Sequence, residues 1–599
     1  MKKFFAFIER TCAHTLAEHG SAIGFCRTLL KTNGSGILPE GVAQEFASAD
    51  YDERDYAVAS AYSLLIGSER RKALSAYFTP PVLTRAVLKA TLPLLKDIAA
   101  PSVLDPACGG GSFLTPVARA IIDKQVRKGV DAEAACRAVL KNLRGLEIDA
   151  GLAELSQTLL RAMLAREYGF KARGRFGVVR CADSLTTPVR PEFDLVVGNP
   201  PYGRIGTGKA GAWLAEAGQA NMGGHTNLYT LFLMRGLRWT KPGGMLVYIV
   251  PASFVAGPYF TGLRAEIVER AEVVRIDLHE QRENLFLGAV QDICILTLRR
   301  RVPDAVKEAE KGVIASHDYA LGIIDAQGGR RETGSAVALG GGEPWTLPAL
   351  TPVKALFDPK KAQQSAKTPS TLADYGYRVR VGKVVPTRER KRLHDKRESG
   401  DLPLLWASTI RQDGSFDFDA SARLGNARWY APPEGSDVKY NTTMPAVAVQ
   451  RTSNRDQARR LNAAAIPSAF REKHKRGFVA ENHVIVIEAL SARPRVAPGK
   501  IAALLNAAVV NERFAALCGS FSVSAKLLTR LALPDPADVA ALTMGEVEHG
   551  MRKLFAGIDD LIVPLQPAGN AQDGVDQARD LRGGAAIDKD ARLKRRAVA

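Results

Sequence analysis

The stretch from residue 102 to 114 constrains the fold of this chain more than any other. A short apolar run ends at Asp105 and leads into three adjacent glycines, Gly109–Gly111, which are followed by a helix-like stretch over 115–129. Glycine has no Cβ, so a backbone of this composition can approach a ligand closely. A strand, a glycine loop and a helix in this order predict the first unit of a doubly wound α/β sheet, which binds its ligand at the carboxyl ends of the strands.

Three further apolar runs end in a polar residue where a strand would stop. Glu147 lies in the run 143–149, Asp183 lies in the run 178–184, and Asn199 directly follows the strand predicted at 193–198. A carboxylate after the strand that follows a glycine-loop helix commonly binds the two hydroxyls of a ribose. Asp183 could accept a hydrogen bond from an adenine amino group. Each of these polar residues alone could be a helix cap, but four at successive strand ends indicate one shared site.

The glycine loop matches neither of the common phosphate-binding motifs. It is not G-x-G-x-x-G, and no Gly-Lys-Ser/Thr follows it. Phosphate is therefore not the favoured ligand, and the carboxylate of Asp105 suits a cationic group such as the ammonium of an amino acid. A plain glycine turn is the alternative interpretation.

Residues 196–202, with the sequence VVGNPPY, carry the chemistry. Pro200 and Pro201 fix two φ angles, and Asn199 is held extended because it precedes a proline. An amide oxygen, a rigid backbone carbonyl and the ring of Tyr202 suit a planar heterocycle with an exocyclic amino group, since two acceptors can take its two N–H bonds. The alternative is a proline-stiffened strand exit without chemistry.

The composition describes a basic protein of more than one domain. Its 599 residues exceed the size of one hydrophobic core, and the formal net charge of +19 favours a polyanionic partner. Glu9 and Arg10 interrupt the apolar N-terminus too early for a signal peptide, and we expect no membrane span. The seven cysteines are scattered without a C-x-x-C pair, so we expect reduced thiols, no structural metal and a cytoplasmic protein.

Taken together, these motifs resemble the S-adenosylmethionine-dependent DNA methyltransferases that modify amino groups, in particular the TaqI-like, gamma-class adenine-N6 enzymes with a C-terminal target-recognition domain. The resemblance extends over residues 72 to 300 and keeps the order of motifs of that family. It implies catalytic or base-contacting roles for Asn199, Pro200, Tyr202 and Phe286. It also implies that the cofactor is held by Thr79, Pro81, Asp105, Cys108, Gly109, Gly111, Glu147 and Asp183, with Glu147 on the ribose and Asp183 on the adenine.

The resemblance also implies the mechanism. The exocyclic nitrogen of adenine is a poor nucleophile because its lone pair is delocalised into the ring. Two acceptors, Asn199 and the carbonyl of Pro200, would free that lone pair for in-line attack on the sulfonium methyl. The base must leave the duplex and be held, by expectation between Tyr202 and Phe286. Phe286 could instead be a core residue. Methylation of a cytosine ring carbon would need a Pro-Cys dipeptide, which is absent from the sequence.

The remainder of the chain is divided by composition. We predict a helical N-terminal extension over 1–70, a Rossmann-like methyltransferase domain over 71–300 and a connector over 301–370. A C-terminal α+β target-recognition domain follows over 371–565, and a disordered tail over 566–599.

Two basic runs mark the predicted recognition domain. Nine Lys or Arg face two acids between 378 and 397, and eight face two between 451 and 476. This charge suits contacts with DNA phosphates, and solvated basic loops are the alternative. The predicted DNA-binding residues are Arg378, Arg380, Lys383, Arg388, Arg390 and Arg451.

Alternative functions remain open at this point. Relatives with the NPPY motif also methylate cytosine-N4, RNA or protein glutamine, although the last two usually lack a large basic recognition domain. A non-catalytic DNA-binding specificity module is a further alternative. The favoured prediction is a site-specific adenine-N6 methyltransferase acting on double-stranded DNA, as the modification enzyme of a restriction-modification system with a separately encoded endonuclease.

Overall fold

A computed structural model describes most of the chain. The described residues are 1–95, 98–172, 177–188, 190–203, 205, 227–281, 292–302, 317–338, 342–348, 369–433, 441–452, 459–517, 523–555 and 558. The predicted tail at 566–599 and Phe286 lie outside these ranges.

The N-terminal region is helical, as the sequence predicted. Its helices are α1 (Lys2–His19), α2 (Ala22–Thr32), α3 (Glu40–Ser48), α4 (Tyr51–Leu65) and α5 (Ser68–Leu74). Helix α4 is buried along its second half, from Ala57 to Leu65, because it packs against α1, α2 and a later helix (Ala150–Tyr168). The hydrophobic core of the N-terminal region includes Leu155 and Leu159 of that later helix, so this region packs directly on the sheet domain.

The sheet domain alternates strands and helices. Its elements are α6 (Pro81–Thr91), a 3-10 helix (Leu92–Leu95), β1 (Val103–Asp105), α7 (Leu114–Arg127), α8 (Ala132–Asn142), β2 (Leu143–Glu147), α9 (Ala150–Tyr168), β3 (Val179–Cys181), β4 (Phe193–Gly198), α10 (Leu228–Trp239), β5 (Thr240–Pro251), 3-10 helices Ala252–Phe254 and Pro258–Phe260, α11 (Thr261–Arg270), β6 (Ala271–His279) and β7 (Ile293–Arg300). The strands predicted before the glycine loop and before Asn199 are confirmed.

The strand order of the sheet creates a binding crevice. It begins β3-β2-β1-β4-β5, all parallel, and continues with β7 antiparallel between β5 and β6. From β1 the chain builds outward through β2 and β3, then returns to place β4 on the other side of β1. This reversal leaves a crevice at the carboxyl ends of β1 and β4, where doubly wound sheets bind their ligands. Asp105 ends β1 and Asn199 follows β4 at that crevice.

The predicted connector from residue 301 was wrong over 317–338. Two strands, β8 (His317–Ile324) and β9 (Arg330–Ala338), extend the sheet to nine strands, with β8 parallel to β6 and β9 antiparallel to β8. Composition misled the prediction because β9 is mostly exposed and polar, whereas β8 buries Tyr319, Leu321 and Ile323. An edge strand commonly carries polar and charged residues, which discourage pairing with another chain.

The C-terminal region contains two small sheets covered by helices. Its strands are β10 (Tyr377–Val381), β11 (Leu393–His394), β12 (Leu402–Leu405), β13 (Trp429–Tyr430), β14 (Ala446–Gln450), β15 (Ala463–Ala465), β16 (Val479–Ala480) and β17 (Val484–Ala489), arranged in the orders β10-β17-β14-β15 and β11-β13-β12-β16. Its helices are α12 (Ala420–Arg423), α13 (Ser468–Lys473), α14 (Pro498–Asn506), α15 (Ala508–Leu517), α16 (Ala525–Arg530), α17 (Pro536–Ala541) and α18 (Met544–Leu554), with 3-10 helices at Arg390–Arg392 and Ala407–Thr409. This is the α+β architecture that we predicted.

A hydrogen bond, an ion pair and shared core contacts join the sheet domain to the C-terminal region. The Leu347 N–H donates to the Ala516 carbonyl over 2.8 Å, and Arg530 forms an ion pair with Glu343. Ala256 of the sheet domain belongs to the same hydrophobic core as the C-terminal helices. Within the part of the chain that the structure describes, none of the helices has both the length and the apolar character that a membrane crossing needs.

Candidate active site

A cavity of about 370 Å³ lies at the carboxyl edge of β1, β2 and β4. Seven of the residues proposed from the sequence line it together: Thr79, Asp105, Cys108, Gly109, Glu147, Asp183 and Asn199. Residues from four separate strand ends and from the segment before α6 therefore surround one space. Phe78, Leu228 and Phe232 contribute apolar surface to its wall.

Asp105 is the most deeply buried acid of the cavity, with a relative exposure of 1%. Its Oδ1 accepts a hydrogen bond from the Ala107 N–H over 3.1 Å. Burial raises the pKa of Asp105 to about 8, the Ala107 N–H opposes that rise, and the charge of Glu147 adds to it. A carboxyl group so poorly solvated gains most from a cation placed beside it.

The glycine loop packs too closely against its neighbours to accommodate a Cβ. Gly109 has φ +50° and Gly111 has φ +82°, and a Cβ on Gly109 would lie 2.8 Å from the ring of Phe78. A Cβ on Gly110 would lie 2.4 Å from the Cβ of Ala59 in α4. The loop is thus held on one side by the N-terminal helices, while the cavity opens on its other side.

Glu147 is held by two backbone N–H groups. Its Oε2 accepts from Gly109 over 2.9 Å and its Oε1 accepts from Asp149 over 2.9 Å. Burial raises the pKa of Glu147 above its usual value, and these two hydrogen bonds oppose that rise. Each carboxylate oxygen keeps a further lone pair for a ligand hydroxyl. Asp183 is half-buried, and its Oδ1 accepts from the Leu185 N–H over 2.8 Å.

The amide of Asn199 is oriented by two neighbours. Its Nδ2 donates to the Oγ1 of Thr79 over 3.2 Å, and its Oδ1 lies 2.6 Å from the hydroxyl of Tyr202, which donates to it. The Tyr202 hydroxyl also lies 3.1 Å from the carbonyl oxygen of Ile249 in β5. In the orientation described, the amide oxygen faces the Tyr202 hydroxyl and the amide nitrogen faces the Thr79 hydroxyl. The amide oxygen keeps one lone pair for a substrate N–H.

The remaining residues of the predicted catalytic set are Tyr202, Pro200 and Phe286. The ring of Tyr202 packs edge-to-face against Tyr229, with 6.2 Å between the ring centroids, and is not among the residues that line the cavity. Tyr202 therefore supports Asn199 through its hydroxyl, a contact that the sequence did not predict. Pro200 is buried behind Asn199. Phe286 lies outside the described residues, so its expected contact with the base stays a prediction.

Pro81 and Gly111 line a smaller space beside the main cavity. That space also touches Asp55 and Tyr56 of α4, and Thr79 lines both spaces. Pro81 opens helix α6, where a proline is tolerated because the first-turn N–H has no helical partner. These two residues are adjacent to the cavity rather than within its wall.

The N-terminal helices contribute contacts that the sequence analysis missed. The hydroxyl of Tyr62 in α4 donates to Asp149 Oδ1 over 2.6 Å, and Arg70 in α5 contacts Asp149 Oδ2 over 2.7 Å. Asp149 also caps helix α9 by accepting from the Leu152 N–H. No local pattern signals these contacts, because the partners are separated by 79 or more residues.

Two of the predicted DNA-binding arginines have a buried protein partner. Arg378 and Arg380 lie on β10 and both contact Glu488 of the neighbouring strand β17, over 2.7 and 2.6 Å. Glu488 is 1% exposed, so it depends on these cations for its charge balance. Their placement gives both arginines a structural role, and we leave them out of the proposed DNA interface.

The other predicted DNA-binding residues lie outside strand β10 and its ion pairs with Glu488. Lys383, Arg388 and Arg390 are exposed on the segment that links β10 to β11. Arg451 is partly buried, and its Nη1 donates to the Asn482 carbonyl over 2.8 Å. A hydrogen bond to a carbonyl does not neutralise the positive charge of Arg451.

A family model described as Eco57I restriction-modification methylase matches residues 152–286. That segment begins in helix α9, includes β3 and β4 with Asn199, and ends at Phe286. It excludes the glycine loop and the whole C-terminal region.

Among curated proteins, the chain is similar to several type II methyltransferases. It is 22% identical to M.BsuBI of Bacillus subtilis over 529 residues, covering 84% of this chain and 96% of that protein. It is 26% identical to M.XhoI of Xanthomonas vasicola over 352 residues, covering 55% of this chain and 62% of that protein. The match to M.PstI of Providencia stuartii, at 24% identity, covers 37% of this chain and 42% of that protein. The chain thus spans less than two thirds of two of these three relatives.

Among solved structures, the chain resembles that of the type IIL restriction-modification enzyme MmeI in complex with DNA. The TM-score is 0.51 at 12% sequence identity, and the match covers 87% of this chain and 83% of that one. At this identity the likeness concerns the fold, and it extends over both the sheet domain and the C-terminal region. The chain is therefore similar in sequence to type II restriction-modification methyltransferases and shares its fold with a restriction-modification enzyme.

Proposed function

We propose that this protein is a site-specific DNA methyltransferase that uses S-adenosylmethionine to methylate the N6 amino group of an adenine swung out of the duplex. The observation that carries the proposal is the single cavity shared by Asn199 and the acids Asp105, Glu147 and Asp183. The similarity to type II methyltransferases supports it. The proposal includes a role beside a separately encoded restriction endonuclease.

The cavity suits S-adenosylmethionine in three respects. The buried carboxyl of Asp105 lies beside the glycine loop, which has no room for a Cβ. This carboxyl fits the positively charged methionine end. Glu147 offers a fixed carboxylate to a ribose, and Asp183 offers an acceptor to an adenine amino group. When bound, this cofactor supplies an electrophilic methyl group.

Residues of the chain itself activate the nucleophile. The Oδ1 of Asn199 and the carbonyl of Pro200 accept the two N–H bonds of the exocyclic amino group, so that the nitrogen becomes more tetrahedral and its lone pair is freed. Thr79 and Tyr202 hold the Asn199 amide in the orientation that this requires. No general base is required before transfer, because the amino proton can leave after the nitrogen has been alkylated.

The C-terminal region supplies the contact with DNA. An amino group inside a duplex cannot reach a cavity of this depth, so the target base has to leave the stack at a cost of a few kcal/mol. Stacking on aromatic side chains can return about 1–3 kcal/mol per base. The basic C-terminal region would hold the duplex while the base is extruded, through phosphate contacts that are independent of sequence.

The substitution Asn199→Ala tests the proposal. Methyl transfer should fall by at least a hundredfold, in line with the loss of a preorganised acceptor in a catalytic site. The dissociation constant for S-adenosylmethionine, measured by calorimetry, should change less than about threefold, since Asn199 is proposed to accept from the target base and not from the cofactor. An equal loss of cofactor affinity would contradict the role of Asn199 as an acceptor.

Asn142→Ala is the matched control. Asn142 ends helix α8 at the opposite edge of the sheet, where its Nδ2 donates to the Ala100 carbonyl over 3.0 Å. The same chemical change there should leave transfer near the unmodified level. Mass spectrometry of nucleosides from methylated DNA identifies the product, and N4-methylcytosine in place of N6-methyladenine would replace the proposed substrate with cytosine.

A further inference from the structure

A second cavity, of about 270 Å³, lies in the C-terminal region between strand β12 and the turn that follows helix α13. Leu402 and Pro403 form one side of it and residues 472–477 form the other. It is far in sequence from the residues of the candidate active site. Its wall carries four cations: Arg397, Lys473, Lys475 and Arg476.

The two guanidinium groups of this cavity are held in place. Arg476 donates from its Nη1 to the Gly400 carbonyl over 3.0 Å, and the guanidinium of Arg397 lies over the ring of Trp429, 5.3 Å from its centroid. Both contacts fix the position of a cation without cancelling its charge. A pair of restrained guanidinium groups loses less side-chain entropy on binding an anion than two free side chains would.

The acids of the cavity do not neutralise these cations. Asp401 is buried, 2.9 Å from His394 Nδ1, and it also accepts from the Glu398 N–H over 3.0 Å. Hydrogen bonding to Asp401 raises the pKa of His394, so this pair tends towards internal neutrality. Glu472 is exposed and solvated at the rim.

The buried imidazole of His474 also lines the cavity. His474 is 7% exposed and packs against Phe470, with 4.7 Å between the ring centroids, and against Trp429 at 5.7 Å. Burial lowers the pKa of His474, and the charges of Arg397 and Lys473 lower it further. A histidine with a lowered pKa adds no carboxylate to the wall, so the four cations leave the potential of the cavity positive.

We propose that this cavity binds a backbone phosphate of the DNA substrate, with Arg397 and Arg476 as its principal contacts. Planar guanidinium groups match the oxygens of a phosphodiester and bind it more specifically than an ammonium group does. The inference rests on the proposed function, since it assumes a DNA substrate. It assigns phosphate binding to Arg397 and Arg476, which end the two basic runs of the sequence but are not among the six residues predicted to bind DNA.

The double variant Arg397→Gln/Arg476→Gln tests the site. A DNA duplex containing the methylated sequence, identified by sequencing modified DNA from expressing cells, should bind roughly tenfold more weakly, as expected for the loss of hydrogen bonds to a charged group. The slope of log affinity against log salt concentration should become shallower by about 1, for one lost phosphate contact. The loss should be equal for specific and unrelated duplexes, because a phosphate carries no sequence information.

Arg411→Gln/Arg423→Gln is the matched control. Both arginines are about half exposed in the same region, contact Asp417, and are absent from the wall of the cavity. Their removal should leave the salt slope unchanged. An unchanged slope in the Arg397/Arg476 variant, or an equal change in the control, would overturn the proposed phosphate site.

Lys473→Gln/Lys475→Gln tests the assignment independently if the arginine variant fails to fold. This variant should bind the duplex roughly threefold more weakly with a shallower salt slope, and an unchanged affinity and slope would overturn the phosphate site. Calorimetric titration with S-adenosylmethionine should give the same affinity for every variant. Unmodified protein that binds the cofactor but no duplex would instead refute the proposed function itself.

Discussion

The side-chain amide of Asn199 receives a hydrogen bond on its oxygen from Tyr202 and donates one from its nitrogen to Thr79. An amide without such partners can present either its oxygen or its NH2 group to a substrate. Only the oxygen can accept an N–H from an adenine. Thr79 and Tyr202 thus act as positioning residues that hold the amide where its oxygen can accept such an N–H.

Replacing Thr79 tests this positioning role. In Thr79→Val the acceptor for Asn199 Nδ2 is lost, and kcat should fall roughly tenfold, which corresponds to about 1.4 kcal/mol, near the upper value for one neutral hydrogen bond. Thr79→Ser keeps the hydroxyl and should retain most of the activity. Single-turnover methylation of a saturating duplex measures the effect. Equal rates for the Val and Ser variants would show that the hydroxyl does not orient Asn199.

Helices α4 and α5 act on the cofactor side of the cavity through Asp149. Burial raises the pKa of Asp149, but hydrogen bonds from Tyr62, the Leu152 N–H and Arg70 outweigh it, and the pKa stays below its usual value. The backbone N–H of Asp149 in turn donates to Glu147. The N-terminal helices therefore fix the turn that presents Glu147 to the cavity.

The variant Tyr62→Phe/Arg70→Gln removes that support. We expect the dissociation constant for S-adenosylmethionine to rise roughly three- to tenfold, because a charge-assisted contact is lost but Arg70 is solvent-screened. The rate of methyl transfer at saturating cofactor should change little. Arg70 has 62% of its side chain exposed.

Arg27→Gln is the control for this prediction. Arg27 of α2 forms an ion pair with Glu154 of α9, so it crosses the same interface between helices and sheet domain, with 58% of its side chain exposed. Glu154 has no contact with Glu147 among the described hydrogen bonds. A rise in the dissociation constant of the Arg27 variant equal to that of the double variant would indicate general loosening of the interface instead of support for Glu147.

At the scale of the whole molecule, the basic residues that give the net charge of +19 have different roles. Arg378 and Arg380 are committed to Glu488 inside a sheet, whereas Arg388 and Arg390 are exposed on the segment after β10. Only cations that can exchange their counterions for a phosphate contribute to salt-dependent binding. Equal charges in neighbouring sequence positions therefore have different functions.

Replacing Arg388 and Arg390 by Ala should make the salt dependence of DNA binding shallower, by up to about 2 in the log–log slope if each contacts one phosphate. Titration of one duplex between low and moderate salt gives the slope. Arg378→Ala should instead lower the melting temperature, because Glu488 loses one of its two cations. An unchanged slope in the Arg388/Arg390 variant would exclude both residues from the interface.

Much of the fold could be predicted from the sequence because its signals are local. The run that ends at Asp105, the glycine loop and the strand before Asn199 each determine their conformation within a few residues. The order of these elements then requires a doubly wound sheet, whose carboxyl edge brings the polar residues together. Strands β8 and β9 were not predicted, because β9 lies at the sheet edge and has few apolar residues.

The sequence by itself determined which residue types stand at the strand ends, and hence the cavity shared by Asp105, Glu147 and Asn199. Only the tertiary structure decided what holds them: Tyr62 and Arg70 on Asp149, the Tyr202 hydroxyl on Asn199, and Glu488 between two arginines. The physical reason is the sequence separation over which each kind of contact acts. Backbone conformation follows from neighbouring residues, whereas the partner of a side chain can come from any part of the chain that packing brings within a few ångströms.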